Sequence, residues 1–186
     1  MAGYSLNATA ASLLGFLMDG PLTGWDLVRT AEERIGDFWS LTRSQVYREL
    51  TAMAAAGLIR AGELGPRDRR PYAITSAGQK AFRAWLEREP GPESIRFPLL
   101  LTLLFGRSLP RGRLAEMVAH HRALHADRLA GYEAAHAELV GSRGRIDPIS
   151  LAPLELGIAY ERAVMAWFDQ LPLEIAGTAA GKISGR

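Results

Sequence analysis

Residues 42–78 read TRSQVYRELTAMAAAGLIRAGELGPRDRRPYAITSAG, and the order of signals in this stretch decides the fold. Thr42-Arg43-Ser44-Gln45 is a T-x-x-Q capping box, in which side chains and backbone satisfy each other's orphan donors, so a helix starts here. Val46, Leu50 and Met53 recur at helical spacing, and Gly57 supplies a left-handed stop. Beyond it the periodicity changes. Leu58 to Leu64 and Pro71 to Ile74 read as two short strands around a Gly-Pro turn carrying Arg67, Arg69 and Arg70. Thr75 then caps another helix, with Ala77, Ala81, Phe82, Trp85 and Leu86 on one side. The helix from Thr42 to Ala56 has an unusual outer face. Ser44, Gln45, Arg48, Thr51, Ala52 and Ala55 are short and polar with a single arginine, so a partner can approach closely.

Two helices precede this stretch. Asn7 is a good N-cap, and Leu6, Ala10, Leu13, Leu14 and Leu17 follow at helical spacing until Asp19-Gly20-Pro21. Thr23, with Asp26 three residues on, forms a second capping box. Leu27, Val28, Ala31 and Ile35 make the buried stripe of that helix and Gly36 stops it. Phe38 and Trp39 are expected to plug the space between helices. Helix–helix–helix–strand–turn–strand is the order of a winged helix-turn-helix. Glu89-Pro90-Gly91-Pro92 is linker-like, so the expected domains are residues 1–89 and 93–172, with a flexible tail over 173–186.

The second half is helical by pattern. A short, strongly apolar segment runs from Glu93 to Gly106. Pro110 marks the start of a helix reaching about Val140, long enough for ~45 Å at 1.5 Å per residue. Its seam reads Leu114, Met117/Val118, His121, Leu124, Leu129, Tyr132, Ala135/His136 and Leu139. A last helix from Ser150 to about Leu171 carries Leu151, Leu154, Ile158, Met165 and Phe168, and also Leu156, Tyr160, Val164 and Trp167 elsewhere around its cylinder. A helix apolar on more than one face must be buried on more than one face. So small a helical half has few neighbours of its own, and a second copy of the chain is the natural supplier. The expected architecture is mainly α with a small β-hairpin wing: a winged helix-turn-helix plus a C-terminal helical dimerisation domain.

Composition narrows the function. The chain has 186 residues, 48% of them hydrophobic, which excludes a disordered or fibrous polymer. The longest apolar run, Phe97 to Phe105, is interrupted by Pro98 and Thr102 and falls short of the ~18–20 residues a bilayer span needs. The start MAGYSLNA has neither a basic region nor a signal-peptide core, so a cytoplasmic address is expected. With no cysteine, there is no disulfide framework, thiolate zinc site or cysteine nucleophile. No P-loop, GxSxG or GxGxxG occurs, and no carboxylate pair has a reason to converge, so an enzyme is not expected and no cofactor is called for. Twenty of the 22 basic residues are arginine, which fits a codon bias toward Arg, Ala and Gly. Their placement says more: Ser40 to Thr75 holds six arginines against three acids.

Specific residues carry a family resemblance. Leu13-Leu14-Gly15-Phe16-Leu17 and Gly20-Pro21-Leu22-Thr23-Gly24-Trp25-Asp26-Leu27 resemble the opening of PadR-family transcriptional regulators, with Trp25 where a tyrosine is usual. Ser44-Gln45-Val46-Tyr47-Arg48-Glu49-Leu50, then Met53 and Ala56-Gly57-Leu58-Ile59, resemble that family's recognition-helix signature, with Arg48 where many members have proline. Arg69-Arg70-Pro71-Tyr72-Ala73-Ile74-Thr75-Ser76-Ala77-Gly78 is similar to its wing exit. The C-terminal half, with its LLLTLLFG entrance from Leu99 to Gly106, resembles the longer-tailed subfamily related to virulence activators. The resemblance implies a homodimeric DNA-binding regulator, usually a repressor relieved by a small aromatic or drug-like effector.

The residues then take roles. Gln45 can bond adenine N6/N7 bidentately, and Arg43 or Arg48 can reach guanine O6/N7 or a phosphate. Thr42, Ser44 and Thr51 suit phosphate or base contacts. Tyr47 fits equally as core or as a packed ring with its hydroxyl on a phosphate. Arg67, Arg69 and Arg70 can lie over a backbone or an adjacent minor groove. The bland alternatives are a solvated helix face and a hairpin kept soluble by charge. An effector site would draw on Trp39, Trp85, Phe97, Phe105, Tyr160, Met165, Trp167 and Phe168, although such residues equally fill cores. His121 and His125 have a metal-clamping spacing but no third ligand, so all four histidines read as structural or solvent-facing. A rival function is a winged-helix protein-interaction module or co-activator acting with a partner transcription factor.

Overall fold

A computed structural model describes residues 4–36, 38–65, 69–92, 95–141 and 147–176, without the side chain of Arg111. Its backbone divides into two compact units, Met1–Glu93 and Ser94–Arg186.

The first unit comprises α1 (Ala8–Phe16), β1 (Leu22–Thr23), α2 (Gly24–Ile35), α3 (Arg43–Ala55), β2 (Ile59–Ala61), β3 (Pro71–Ile74) and α4 (Ser76–Leu86). The helix starts follow the caps. Asn7 accepts from the Ala10 amide, and Thr23/Asp26 and Thr42/Gln45 each form a complete capping box. Leu13, Leu14, Leu17 and Leu27 are excluded from solvent together with Val46, Leu50 and Met53. Helices α1, α2 and α3 thereby share one core, against which Phe82 and Trp85 of α4 pack. Phe38 and Trp39 do not plug it. They sit in the connection after α2, and Phe38 is 68% exposed. Leu86, at the end of α4, also faces outward.

The sheet has three strands in the order β1–β3–β2, all antiparallel, rather than the two of a bare hairpin. Leu22 pairs with Tyr72 and Thr23 with Pro71, while Ile59 pairs with Ile74 and Ala61 with Tyr72. Ladder pairing of the second strand stops at Ala61, short of the expected Leu64. Two small residues lock the exit. Gly57 has φ +72°, a conformation that favours glycine. The Thr75 hydroxyl donates to the Gly57 carbonyl at 2.7 Å and accepts from the Gly78 amide at 3.0 Å. A Cβ on Gly78 would fall 2.1 Å from the Leu58 carbonyl oxygen, a backbone atom that cannot swing aside. Gly78→Ala is therefore expected to destabilise this unit by at least about 1–3 kcal/mol. A urea melt showing a loss below about 0.5 kcal/mol would contradict that close approach.

The second unit holds α5 (Pro98–Phe105), a 3₁₀ turn over Gly106–Ser108, α6 (Arg111–Gly141), α7 (Pro148–Asp169) and α8 (Leu173–Ala176). Helices α6 and α7 run antiparallel, joined by Arg122–Asp169 at 2.8 Å and Arg162–Glu133 at 2.6 Å. Leu99, Val118, Val164 and Phe168 form the core. The seam of α6 departs from its expected line: His125, not its neighbour Leu124, is the buried position. Its Nδ1–H donates to Glu161, which also accepts from Arg128 at 2.9 Å. The last four-residue helix, α8, lies within the stretch expected to be a flexible tail, because Ile175 packs against the core. Residues 177–186 lie outside the described residues. Among the described residues no helix is long and apolar enough to cross a membrane.

Candidate nucleic-acid interface

Helix α3 is seated by one face and bare on the other. Val46, Leu50 and Met53 bury it, whereas Arg43, Ser44, Tyr47, Arg48 and Thr51 are exposed. A buried residue that sequence reasoning missed, Glu49, fixes its rotation. The Glu49 carboxylate accepts from the Tyr4 hydroxyl at 2.8 Å and from Asn7 Nδ2 at 3.2 Å. Burial, then the bond to Glu49 and its charge, push the Tyr4 phenol well above its usual range. The same carboxylate lies 3.5 Å from the Arg48 guanidinium, which projects into solvent. Thus the segment before α1 ties the helix from behind while Arg48 points outward.

Two expected contacts change in detail. Gln45 Oε1 accepts from the Thr42 amide at 2.8 Å and from the Thr42 hydroxyl at 2.9 Å. A bidentate bond to adenine needs that oxygen, so the capping box and the adenine reading compete; only the Gln45 amide donors remain for a base or phosphate. The Thr51 hydroxyl donates to the Tyr47 carbonyl at 2.9 Å, which leaves it an acceptor. Thr42 is exposed, with its hydroxyl engaged in the box. Tyr47 is neither buried nor free. Its half-exposed ring lies on the start of α2, where a Cβ on Gly24 would meet it at 2.7 Å.

The wing sits beside this face. Arg69 and Arg70 are exposed, and Arg67 lies outside the described residues. Trp25, Tyr47, Arg69, Arg70 and Tyr72 border a cleft of about 240 Å³ at the α2 N-terminus. Asp26 lies on the same helix turn as Trp25. The Thr23 hydroxyl bond holds the Asp26 carboxyl below its ordinary range despite partial burial, helped by Arg69 and Arg29. The surface therefore combines outward arginines, short polar groups and an aromatic ring, a composition suited to phosphates and base edges.

The chain matches the transcriptional regulator PadR-like family over residues 13–84 and the virulence activator alpha C-terminal family over residues 95–172. Residues 13–84 are a PadR-like domain. The negative transcriptional regulator PadR of Bacillus subtilis is 24% identical over 172 residues, spanning 86% of this chain and 93% of the relative. A crystal structure of that PadR with operator DNA superimposes with a TM-score of 0.72 at 23% identity, covering 89% of this chain and 97% of the other. Its complex with p-coumaric acid gives a TM-score of 0.66 at 22% identity, covering 92% and 98%. The Vibrio cholerae virulence activator AphA gives a TM-score of 0.63 at 24% identity, covering 92% and 100%. These likenesses establish the winged-helix fold with C-terminal helices. The matched PadR-like family and the curated relatives are transcriptional regulators, not enzymes.

The residues considered for an effector site are spread through the chain. Trp39 and Trp85 belong to the first unit. In the second, Phe97, Trp167 and Phe168 pack edge-on or tilted against one another, with His125 between Phe97 and Phe168. Met165 packs partly against that core, while Phe105 and Tyr160 are exposed. Among the described residues no group of three or more His, Asp or Glu side chains stands together to hold a metal ion. His121 is held below its ordinary range, first by burial and then by the neighbouring His120 and His125.

Proposed function

We propose that this PadR-like protein is a cytoplasmic homodimer that binds a palindromic operator and represses transcription until a small aromatic effector releases it. The single observation behind this reading is the bare outer face of α3 beside an arginine-bearing wing. Arg48 and the Gln45 amide would read base edges, Arg43, Ser44 and Thr51 would fix the helix on the backbone, and Arg69 and Arg70 would lie along phosphates. Arg67 belongs to the same proposed wing contact. The domains in this reading are residues 1–89 for DNA and 93–172 for pairing.

Pairing is supported by surfaces the second unit leaves open. Leu101, Leu104 and Phe105 of α5 and Ile149, Leu156 and Tyr160 of α7 are exposed in the single chain. Large apolar side chains on two helices fit burial against a second copy. Two recognition helices related by a two-fold axis would read half-sites about 34–36 Å apart, or a multiple. The effector part rests on the p-coumaric acid complex of the Bacillus subtilis relative, and on the aromatic residues Trp39, Trp85, Phe97, Phe105, Tyr160, Met165, Trp167 and Phe168. The match to the virulence activator C-terminal family supports a second reading, a co-activator working with a partner transcription factor.

The test is footprinting of purified protein on the DNA upstream of its own coding sequence, with light scattering to read its mass. Protection of two symmetric half-sites by a particle of twice 20.3 kDa is expected. A lone protomer, or no protection without a second protein, would overturn the repressor reading. Arg48→Ala should relax preference at one position by about 1–3 kcal/mol, whereas Arg69→Ala should weaken all sequences alike. Competition binding with point-mutated duplexes separates the two; identical behaviour would refute the division of roles.

A further inference from the structure

The wing carries an attachment that its strands do not explain. Beyond the paired residue Pro71, the described backbone of the turn is closed by a bond from the Gly65 amide to the Arg69 carbonyl at 2.8 Å. The Arg69 side chain then reaches back to α2, where its guanidinium carbon lies 5.4 Å from the centre of the Trp25 ring. Arg29, one turn along α2, lies 5.2 Å from the same ring. Two cations on one indole repel each other, and the Asp26 carboxylate, next to Trp25 in the chain, offsets that repulsion. Trp25 itself is 42% exposed, too open to be explained as core.

We propose that Trp25 is a positioning residue for DNA binding: it docks the wing arginine Arg69 onto α2 through its π face and so holds that guanidinium beside α3. This rests on the DNA-binding reading above. The mode of attachment matters chemically. A carboxylate partner would bind Arg69 through its N–H donors and cancel its charge. An aromatic face attracts the cation through its quadrupole. Arg69 thus stays ordered while its charge and rim donors remain available to a phosphate. Among the described residues no carboxylate comes within ion-pair distance of Arg69, and the Asp26 charge acts on it only through space. An ordered arginine also loses less rotamer entropy on binding than a free one.

The experiment is a double-mutant cycle between Trp25→Leu and Arg69→Ala, read by fluorescence anisotropy on two duplexes at low salt. One is the upstream fragment and the other an unrelated sequence of equal length. Trp25→Leu is expected to weaken binding to both by about 2- to 5-fold per half-site. Trp25→Tyr, which keeps an aromatic face, should restore most of it. Arg69→Ala should cost less in the Trp25→Leu background than in the native one. The side-chain protons of Arg69 should show an upfield ring-current shift by NMR that Trp25→Leu abolishes and Trp25→Tyr keeps. Additive losses, an unchanged Trp25→Leu affinity, or the lack of a ring-current shift would overturn the inference while leaving the proposed function standing. Native protein that binds neither duplex would overturn the proposed function, and this role with it.

Discussion

Replacing Glu161 with alanine is expected to destabilise the helical second unit by about 3–5 kcal/mol, the scale for removing one partner of a buried charged pair. Glu161 is 1% exposed, and its carboxylate accepts from both His125 and Arg128. Without it, the His125 donor stays buried between Phe97 and Phe168, facing a void. Arg128, partly exposed, can turn toward water and recover some of the loss. Glu161→Gln keeps an acceptor for the imidazole and gives up the charge, so an intermediate loss is expected. Far-UV circular dichroism in a urea titration measures both, since helices α6 and α7 supply most of the helix in this unit. A Glu161→Ala midpoint within error of the parent would mean that the triad is spectator chemistry. The test is independent of any operator.

That triad also shows where sequence reading stops. The capping boxes at Thr23 and Thr42, the Asn7 cap and the Gly57 stop are local chemistry, and local chemistry is legible. The core stripes of α1, α2 and α3 follow from helical spacing and lie where the spacing puts them. By contrast, β1 is two residues long, and its partners Tyr72 and Pro71 stand about fifty positions away, so no local periodicity announces it. The buried carboxylates do carry a signal in the sequence. Val46, Glu49, Leu50 and Met53 stand at i, i+3, i+4 and i+7, which puts Glu49 on the inward arc. Ile158, three residues before Glu161, and Val164 and Phe168, three and seven residues after it, put Glu161 on the inward arc of its helix as well. An acid among apolar positions at helical spacing is better read as buried and partnered. Its partners could not be named, because Tyr4 and Asn7 for one, and His125 and Arg128 for the other, are brought in by the fold. The candidate interface was legible as a list of residues on α3 and the wing. Its finer geometry was not: Gln45 is spent on the cap, and Trp25 reaches the wing.

Operator affinity is expected to fall by about 10³–10⁵-fold between 50 and 200 mM salt, the largest single effect foreseen for this protein. The chain's net charge of only +2 makes this a statement about placement. Arg43, Arg48, Arg69 and Arg70 lie exposed on α3 and the wing, and a dimer doubles them. If about six to ten phosphates are neutralised, each releases condensed counterions, and log K falls against log salt with slope about −0.9 per contact. Arg69→Ala removes one contact per half-site, so the slope should flatten by about 2 for a dimer. Arg48→Ala should change affinity for the cognate site while leaving the slope nearly as it was, if its partner is a base edge; a phosphate partner would flatten it as Arg69→Ala does. Trp25→Leu offers the sharpest comparison, because it adds or removes no charge. If it acts through Arg69, it should flatten the slope part of the way toward that of Arg69→Ala. If it merely loosens the domain, affinity should drop at every salt concentration with the slope intact. Anisotropy titrations across that salt range decide among these outcomes, and an affinity indifferent to salt would remove the phosphate-contacting wing from the account altogether.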